Sequence, residues 1–336
     1  MNPETLVITG DDVRAVLGVE DCIAAVETAF RRHAEGAASP PAALGVHVAG
    51  GGFHVKAAAL ALGRPYFAAK LNGNFPGNPA RSGLPTIQGI VALCDADNGR
   101  LLALLDSIEI TRLRTGAATA VAAKHLARPE ASVLTVFGCG RQGRIQVECL
   151  ARVLRLARVY AHDCDPGAAD GLARWAGDTL GLSAAALDAA AALRQARESD
   201  VIVTCTPARR YYLTREAVSP GCFVAAVGAD DAGKQELEPE LLAASTLVVD
   251  VLEQCAAIGE LHHALAAGVL RRADVYAELW EVVGGARRGR RDADEIVVFD
   301  STGTALTDVA AAAMTYERAL TEGRGVPVRL AGSGAG

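Results

Sequence analysis

Val133-Leu134-Thr135-Val136-Phe137-Gly138-Cys139-Gly140-Arg141-Gln142-Gly143-Arg144 is the stretch on which the fold turns. An apolar run, Val133–Phe137, leads into three closely spaced glycines, and a helical pattern follows from Arg144. That is the order of a buried strand, a tight turn and a helix N-terminus. Glycines let backbone come close to a pyrophosphate, and a helix start offers unpaired N–H groups and a partial positive charge to it. Glycine spacing alone is weak evidence, but the flanking strand and helix that the motif requires are present. A second apolar run, residues 158–162, ends on Asp163, at the distance where a ribose-binding acid is expected. No Arg follows at once to receive a 2′-phosphate, so the expected dinucleotide is NAD(H). Asp165, before Pro166, reads as the cap of the next helix.

Outward from this motif the chain keeps an alternating rhythm. Strands are expected at 132–137, 157–162, 201–205, 223–227, 246–251 and 295–299, with helices between them, as in a parallel sheet with right-handed crossovers. Upstream the pattern differs. Short apolar runs at 46–48, 53–57, 66–71, 87–93 and 101–105 are separated by Gly, Asn and Pro and read as an antiparallel sheet. Asp97-Asn98-Gly99 is a hairpin turn between the last two. A short strand at 5–8, amphipathic helices after Asp11 and Glu20, and a helix over 111–127 complete this part. A last helix, 306–320, returns to it, and the Gly-rich tail from Arg324 is expected to fray. The fold class is therefore α/β, a Rossmann-type dinucleotide-binding domain over 118–312 plus an α+β domain from 1–117 and 313–336, to which the family resemblance given below assigns substrate binding and dimerisation.

Composition sets limits on partners. The chain has 336 residues, 51% hydrophobic and 4% aromatic, with a net charge of −6, so it can bury a sizeable core and offers nothing to nucleic acid or an anionic membrane. No apolar run reaches the length of a membrane span. Eight cysteines are scattered without CxxC pairs, which reads as buried reduced thiols in a cytoplasmic protein, with no metal site expected. His262 and His263 read as polar-face residues of a helix. Lysine occurs only at 56, 70, 124 and 234 in a chain that otherwise uses Arg.

A second constellation accompanies the glycine turn. It runs Lys70-Leu71-Asn72-Gly73-Asn74, Gly83-Leu84-Pro85-Thr86, Asp106, Thr111-Arg112-Leu113-Arg114-Thr115, then Val227-Gly228-Ala229-Asp230 and Gly303-Thr304-Ala305-Leu306-Thr307-Asp308. In this order the motifs resemble those of the ornithine cyclodeaminase/μ-crystallin family over nearly the whole chain. The resemblance implies a homodimeric enzyme that transfers hydride between NAD(H) and the α-carbon of a small amino, imino or keto acid. Imine reductases, amino-acid dehydrogenases, cyclodeaminase lyases and non-catalytic NAD(H) carriers all occur in such a family, so the fold is better defined than the reaction. It implies further that Lys70, Arg114 and Thr86 hold the substrate carboxylate, that Asp230 and Lys70 are the catalytic groups, and that the dinucleotide contacts Gly138, Gly140, Arg141, Gln142, Gly143, Asp163, Thr115, Thr206, Val227 and Gly228.

A carboxylate in a dry cleft needs cations and donors, and Arg can clamp both oxygens where Lys is a point charge. The alternative for Lys70 or Arg114 is internal pairing with Asp106 or Glu109. Arg112, one helical step off, is expected to face solvent. For Asp230 the alternative is a turn before Gly233 and Lys234, and Asp231 competes for the role. The resemblance implies an acidic residue in ornithine enzymes where this chain has His54-Val55-Lys56-Ala57, and in many relatives an upstream Arg for the carboxylate where it has Ala42-Ala43. His54 and Lys56 fall on one face of a strand. They are added as substrate-binding candidates, with neutral or acidic substrate tails expected.

Overall fold

The computed structural model describes residues 4–330. The chain forms two compact units, Met1–Arg114 with Thr304–Gly336, and Thr115–Gly303. The expected boundary at 312/313 would have cut the last helix, which instead belongs whole to the first unit.

In the first unit, β1 (Thr5–Ile8) precedes α1 (Gly10–Val16) and α2 (Val19–Ala34). Thr9 caps α1, accepting from the Asp12 N–H while the Asp12 carboxylate accepts from the Thr9 N–H. Then come β2 (Ala42–Val48), β3 (Gly51–Leu62), β4 (Arg64–Asn74), the short α3 (Asn78–Ser82), β5 (Ile87–Asp95) and β6 (Leu101–Asp106). The five strands expected here are all present, most of them longer than the apolar runs that announced them. The sheet order is β17-β1-β6-β5-β4-β3-β2, where β17 is Val326–Val328. The segment expected to fray thus pairs with β1, and Pro327 is tolerated because β17 is an edge strand. Residues 331–336 of that tail lie outside the described residues.

Alternation decides which side of this sheet is covered. Tyr66, Ala68 and Lys70 of β4 face inward beneath the closing helix, α12 (Ala305–Glu322), while Phe67 and Leu71 face outward. The outward face is apolar: Leu44, Val46, Phe53, Phe67, Leu71 and Ile90 are all exposed, Leu44 by 61%.

The helix α4 (Ser107–Leu126) starts four residues earlier than its sequence pattern indicated, because the Asp106 carboxylate accepts from the Glu109 N–H and organises its first turn. It leads into the second unit. There β7 (Val133–Phe137), α5 (Arg141–Val153), β8 (Arg158–His162), α6 (Pro166–Leu180), β9 (Ser183–Ala186), α7 (Ala189–Ala196) and β10 (Val201–Thr204) follow one another. Next come β11 (Arg209–Leu213), β12 (Phe223–Ala226), β13 (Gln235–Leu237), α8 (Pro239–Ala243) and β14 (Thr246–Val249). The unit closes with α9 (Leu252–Ile258), α10 (Glu260–Ala266), β15 (Ala277–Glu278), α11 (Leu279–Val283) and β16 (Val297–Asp300).

Eight of these strands form one parallel sheet, β15-β14-β16-β12-β10-β7-β8-β9. Its order reverses at β7 and β10, which puts the topological switch point beside the glycine turn. Two members were not expected. Ser183–Ala186 carries no β-branched residue and becomes a strand only by pairing with β8, and β15 is two residues long. The separate pair β11–β13 was also not expected.

Candidate functional site

The turn after β7 is built for close approach. Gly138 has a φ of +96°, and a Cβ there would lie 2.7 Å from the Cys205 carbonyl oxygen. A Cβ on Gly143 would lie 2.0 Å from the Gly138 carbonyl oxygen, so helix and turn pack as only glycine allows. Gly140 behaves differently: a Cβ there would meet nothing within 4 Å, and this residue is the N-cap of α5 with no side-chain cap. The helix starts at Arg141, three residues before its amphipathic pattern begins. The helix start beside Gly140 therefore has open space and no N-cap side chain, which fits a phosphate. The buried Gln142 Oε1 has no hydrogen-bond partner among the described residues, and Arg141 is exposed.

Asp163 stands at the end of β8. Its Oδ2 accepts from the Cys139 N–H at 2.7 Å and its Oδ1 from the Asp165 N–H at 2.9 Å. Asp165 caps α6 through the Gly167 N–H. At the ends of β10 and β12, the N–H groups of Thr206 and Gly228 both donate to Glu236, and the Val227 N–H donates to the Thr204 carbonyl. Thr115 is half-buried on α4. The backbone N–H groups of Thr206, Val227 and Gly228 are thus engaged within the protein, and it is the glycine turn, the open space at Gly140 and the acid after β8 that suit a dinucleotide.

Asp230 belongs to the second unit. Its side chain is 55% exposed and its Oδ1 lies 2.6 Å from Lys234 Nζ. Asp231 takes the turn role, accepting from the Gly233 N–H at 2.9 Å. Asp231 thus shapes the loop, while Asp230, more than half exposed, pairs with Lys234 of the same loop. His263 bonds the Lys234 carbonyl at 2.7 Å and His262 the Ala256 carbonyl at 3.4 Å, so neither belongs to a paired site.

The first unit holds a buried ionic cluster. Lys70 is 4% exposed, Arg114 5% and Asp308 1%. Lys70 Nζ lies 2.9 Å from Asp308 Oδ2 and donates to Oδ1 at 3.0 Å, with Thr111 Oγ1 at 3.4 Å. Arg114 Nε lies 2.9 Å from Asp308 Oδ1 without hydrogen-bond alignment. The internal partner of both cations is therefore Asp308. Asp106 caps α4, while buried Glu109 pairs with Arg112 at 2.9 Å and Arg14 at 3.0 Å. That pairing also keeps Arg112 half-buried, where exposure was expected.

Two cations around one carboxylate make the cluster electrostatically unequal. Burial, the neighbouring Arg114 and, more weakly, Lys56 push the Lys70 ammonium down to about 7, against the pull of Asp308. Burial opposes ionisation of Asp308, but Arg114 and Lys70 overcome it and hold the group below the usual carboxylate range. Lys56 stands directly opposite Lys70 in the β3–β4 register, so the two side chains share the inward face. His54 lies on the same face, opposite Asn72, with its ring edge-on to His47 at 6.4 Å. Thr86 is half-buried at the end of the α3–β5 turn, where its carbonyl accepts from the Phe75 N–H at 2.7 Å.

Sequence reasoning quoted Asp308 within a motif but assigned it nothing, and missed Glu236 altogether. An acid among the alanines of a helix that is otherwise buried was the available signal for Asp308. Of the cysteines, Cys164 is exposed and Cys94 and Cys205 are half-buried, so burial is not general among them.

The profile of the ornithine cyclodeaminase/mu-crystallin family matches residues 3–323. The chain belongs to this family. An alanine dehydrogenase of Archaeoglobus fulgidus is 39% identical over 327 residues, 97% of this chain and 99% of that protein. Among solved structures, an archaeal alanine dehydrogenase dimer with bound NAD is 39% identical and superposes with a TM-score of 0.92, covering 97% of this chain and 99% of that one. The iminosuccinate reductase of Paracoccus denitrificans in complex with NAD⁺ is 34% identical, with a TM-score of 0.88 over 97% and 99% of the two chains. Among the described residues no helix is long and apolar enough to cross a membrane.

Proposed function

We propose that this family member is an NAD(H)-dependent oxidoreductase that transfers hydride at the α-carbon of a small α-amino or α-imino acid. The observation that carries the reading is the buried pair of cations, Lys70 and Arg114, on the single carboxylate of Asp308. A buried excess of positive charge is costly unless an anion meets it. A substrate α-carboxylate is such an anion, and Arg114 offers it a planar fork while Lys70 offers a point charge. Thr86 supplies a further donor.

The dinucleotide, held by the glycine turn, the start of α5 and Asp163, supplies or accepts the hydride when bound. The protein's part is to hold the carboxylate and manage protons. Lys70, with its proton loosened to about 7, is suited to exchange one with the substrate nitrogen near neutral pH. Asp230, projecting from the loop after β12, is the second candidate for that exchange. Asp163 favours NAD(H) by accepting from ribose hydroxyls and repelling a 2′-phosphate.

The protein acts as a homodimer. The outward face of the first unit's sheet exposes Leu44, Val46, Phe53, Phe67, Leu71 and Ile90, an apolar face of the kind that marks an association surface. The dimeric archaeal relative supports this assignment.

A cyclodeaminase, which returns the hydride to its substrate and releases ammonia, is the second reading, and Asp230 is what favours it. The deciding assay is a panel of amino acids with NAD⁺, and of keto acids plus ammonia or amines with NADH, followed by cofactor absorbance and ammonia. Net cofactor turnover is expected. Ammonia release without net cofactor change would establish the lyase, and neither signal with retained NADH would leave a binding protein.

A further inference from the structure

Glu236 is wholly buried in the second unit, with no Lys or Arg in ion-pair contact among the described residues. Its Oε1 accepts from the Thr206 N–H at 2.7 Å, the Thr206 hydroxyl at 2.6 Å and the Tyr212 hydroxyl at 2.9 Å. Its Oε2 accepts from the Gly228 N–H at 3.0 Å. Both oxygens thus receive backbone donors that cannot reverse their role, which is the bonding of an ionised carboxylate. The backbone N–H of Glu236 is itself held at 2.7 Å by the buried Glu260.

The position of this charge gives it meaning. Thr206 follows β10 and Gly228 follows β12, two neighbouring strands, and β10 also pairs with β7. A Cβ on Gly138 would lie 3.1 Å from Thr206 Cγ2, so the loop that Glu236 holds rests against the glycine turn. A Cβ on Gly228 would lie 2.2 Å from Glu236 Oε2, so glycine is required there for the carboxylate to reach the backbone. The cluster sits at the carboxyl ends of the strands, the side on which open parallel sheets bind ligands. Burial raises the Glu236 carboxyl above its usual range and these donors pull it back, so a hydrogen-bonded carboxylate with no cation in contact among the described residues stands at the ligand-binding edge.

The oxidised nicotinamide ring carries a positive charge and the reduced ring carries none. We infer that Glu236 biases this site toward the oxidised dinucleotide while holding the loops after β10 and β12 in place. This rests on the reading that the second unit binds NAD(H). A unit charge acting over about 10 Å through an effective dielectric of about 20 alters a binding constant roughly tenfold. A purely structural clamp would affect both redox forms alike.

The test compares dissociation constants for NAD⁺ by calorimetry and NADH by fluorescence, without substrate, in the wild type, Glu236→Gln and Glu236→Asp, each checked by thermal melting. Glu236→Gln is expected to weaken NAD⁺ about tenfold more than NADH. Glu236→Asp, which keeps the charge, is expected to keep the wild-type ratio even where both forms bind more weakly. Parallel weakening of both forms in Glu236→Gln would overturn the inference. Should Glu236→Gln not fold, loss of the ratio in Glu236→Asp would overturn it equally. Wild-type protein that binds neither dinucleotide would instead overturn the cofactor reading, and this inference with it.

Discussion

Replacing Asp308 with Asn keeps the shape of the side chain and removes the one negative charge between Lys70 and Arg114. At 2.9 Å and an effective dielectric of about 20, each ion pair contributes an attraction of about 6 kcal/mol. Desolvation offsets much of this, so stranding two buried cations is expected to cost about 3–5 kcal/mol. For a unit of this size that lowers Tm by about 10 °C. The same change deprives Lys70 of its counter-charge, and its proton, held at about 7 in the native protein, is lost at lower pH. A mostly neutral Lys70 is a poor carboxylate ligand, so kcat/KM is expected to fall by about 10²–10³-fold at neutral pH. NADH affinity, which rests on the second unit, is expected to stay near wild type.

The sign of the pH effect follows from Lys70. Because its pKa is depressed on folding, the unfolded chain binds more protons between about 7 and 10.5, and stability from this group rises with pH across that window. In Asp308→Asn the rise is expected to begin at lower pH. The assay is thermal melting from pH 6 to 10 on the wild type, Asp308→Asn, Lys70→Met and the double variant. Strong coupling is expected, the double variant being more stable than the sum of the single losses implies. Additivity within about 0.5 kcal/mol, with an unshifted pH profile, would refute the cluster as the basis of the site.

Asp163→Asn, which keeps the side chain's size, is expected to narrow the discrimination against NADP(H) about tenfold in binding assays; an unchanged preference would remove Asp163 from the ribose site. Lys56→Met is expected to improve turnover of ornithine or lysine relative to neutral-tailed substrates, and an identical ranking of substrates would show that Lys56 does not meet the tail. Burial, assisted by the charge on Asp250, raises Asp300 to about 7, so the folded chain binds more protons between 3.8 and 7 and loses stability as pH rises through that window. Asp300→Asn is expected to flatten this loss by several degrees in melts between pH 5 and 8, and a slope equal to wild type would refute it.

Much of the fold was legible because its signals are local. The run Val133–Phe137 needs no neighbour to read as a buried strand, and the following glycines permit a turn that other residues would block. Short apolar runs broken by Gly, Asn and Pro announced the antiparallel sheet, and Asp165 before Pro166 announced the cap of α6, whereas α1 is capped by Thr9 and not by the acids that follow it. Lys70, Arg114 and Asp230 are proposed as site residues through ordered motifs rather than through physical pattern.

What the sequence by itself determined is the set of elements whose hydrophobic period or turn chemistry is self-contained, and the identity of the charged residues that need a partner. Only the tertiary structure decided who those partners are. Lys70 and Asp308 lie 238 positions apart, and Arg114 belongs to a third element. An ion pair leaves no periodic trace in sequence, so although an acid among the alanines of a buried helix marks Asp308 as needing a partner, its pairing with Lys70 and Arg114 forms only in the fold. The same holds for Ser183–Ala186 and Val326–Val328, which become strands only because β8 and β1 offer free edges. It holds also for Glu236, whose buried carboxylate is defined by four donors from Thr206, Tyr212 and Gly228. Local propensity acts within a few residues, whereas burial and charge pairing are properties of neighbours in space, and those exist only once the chain has folded.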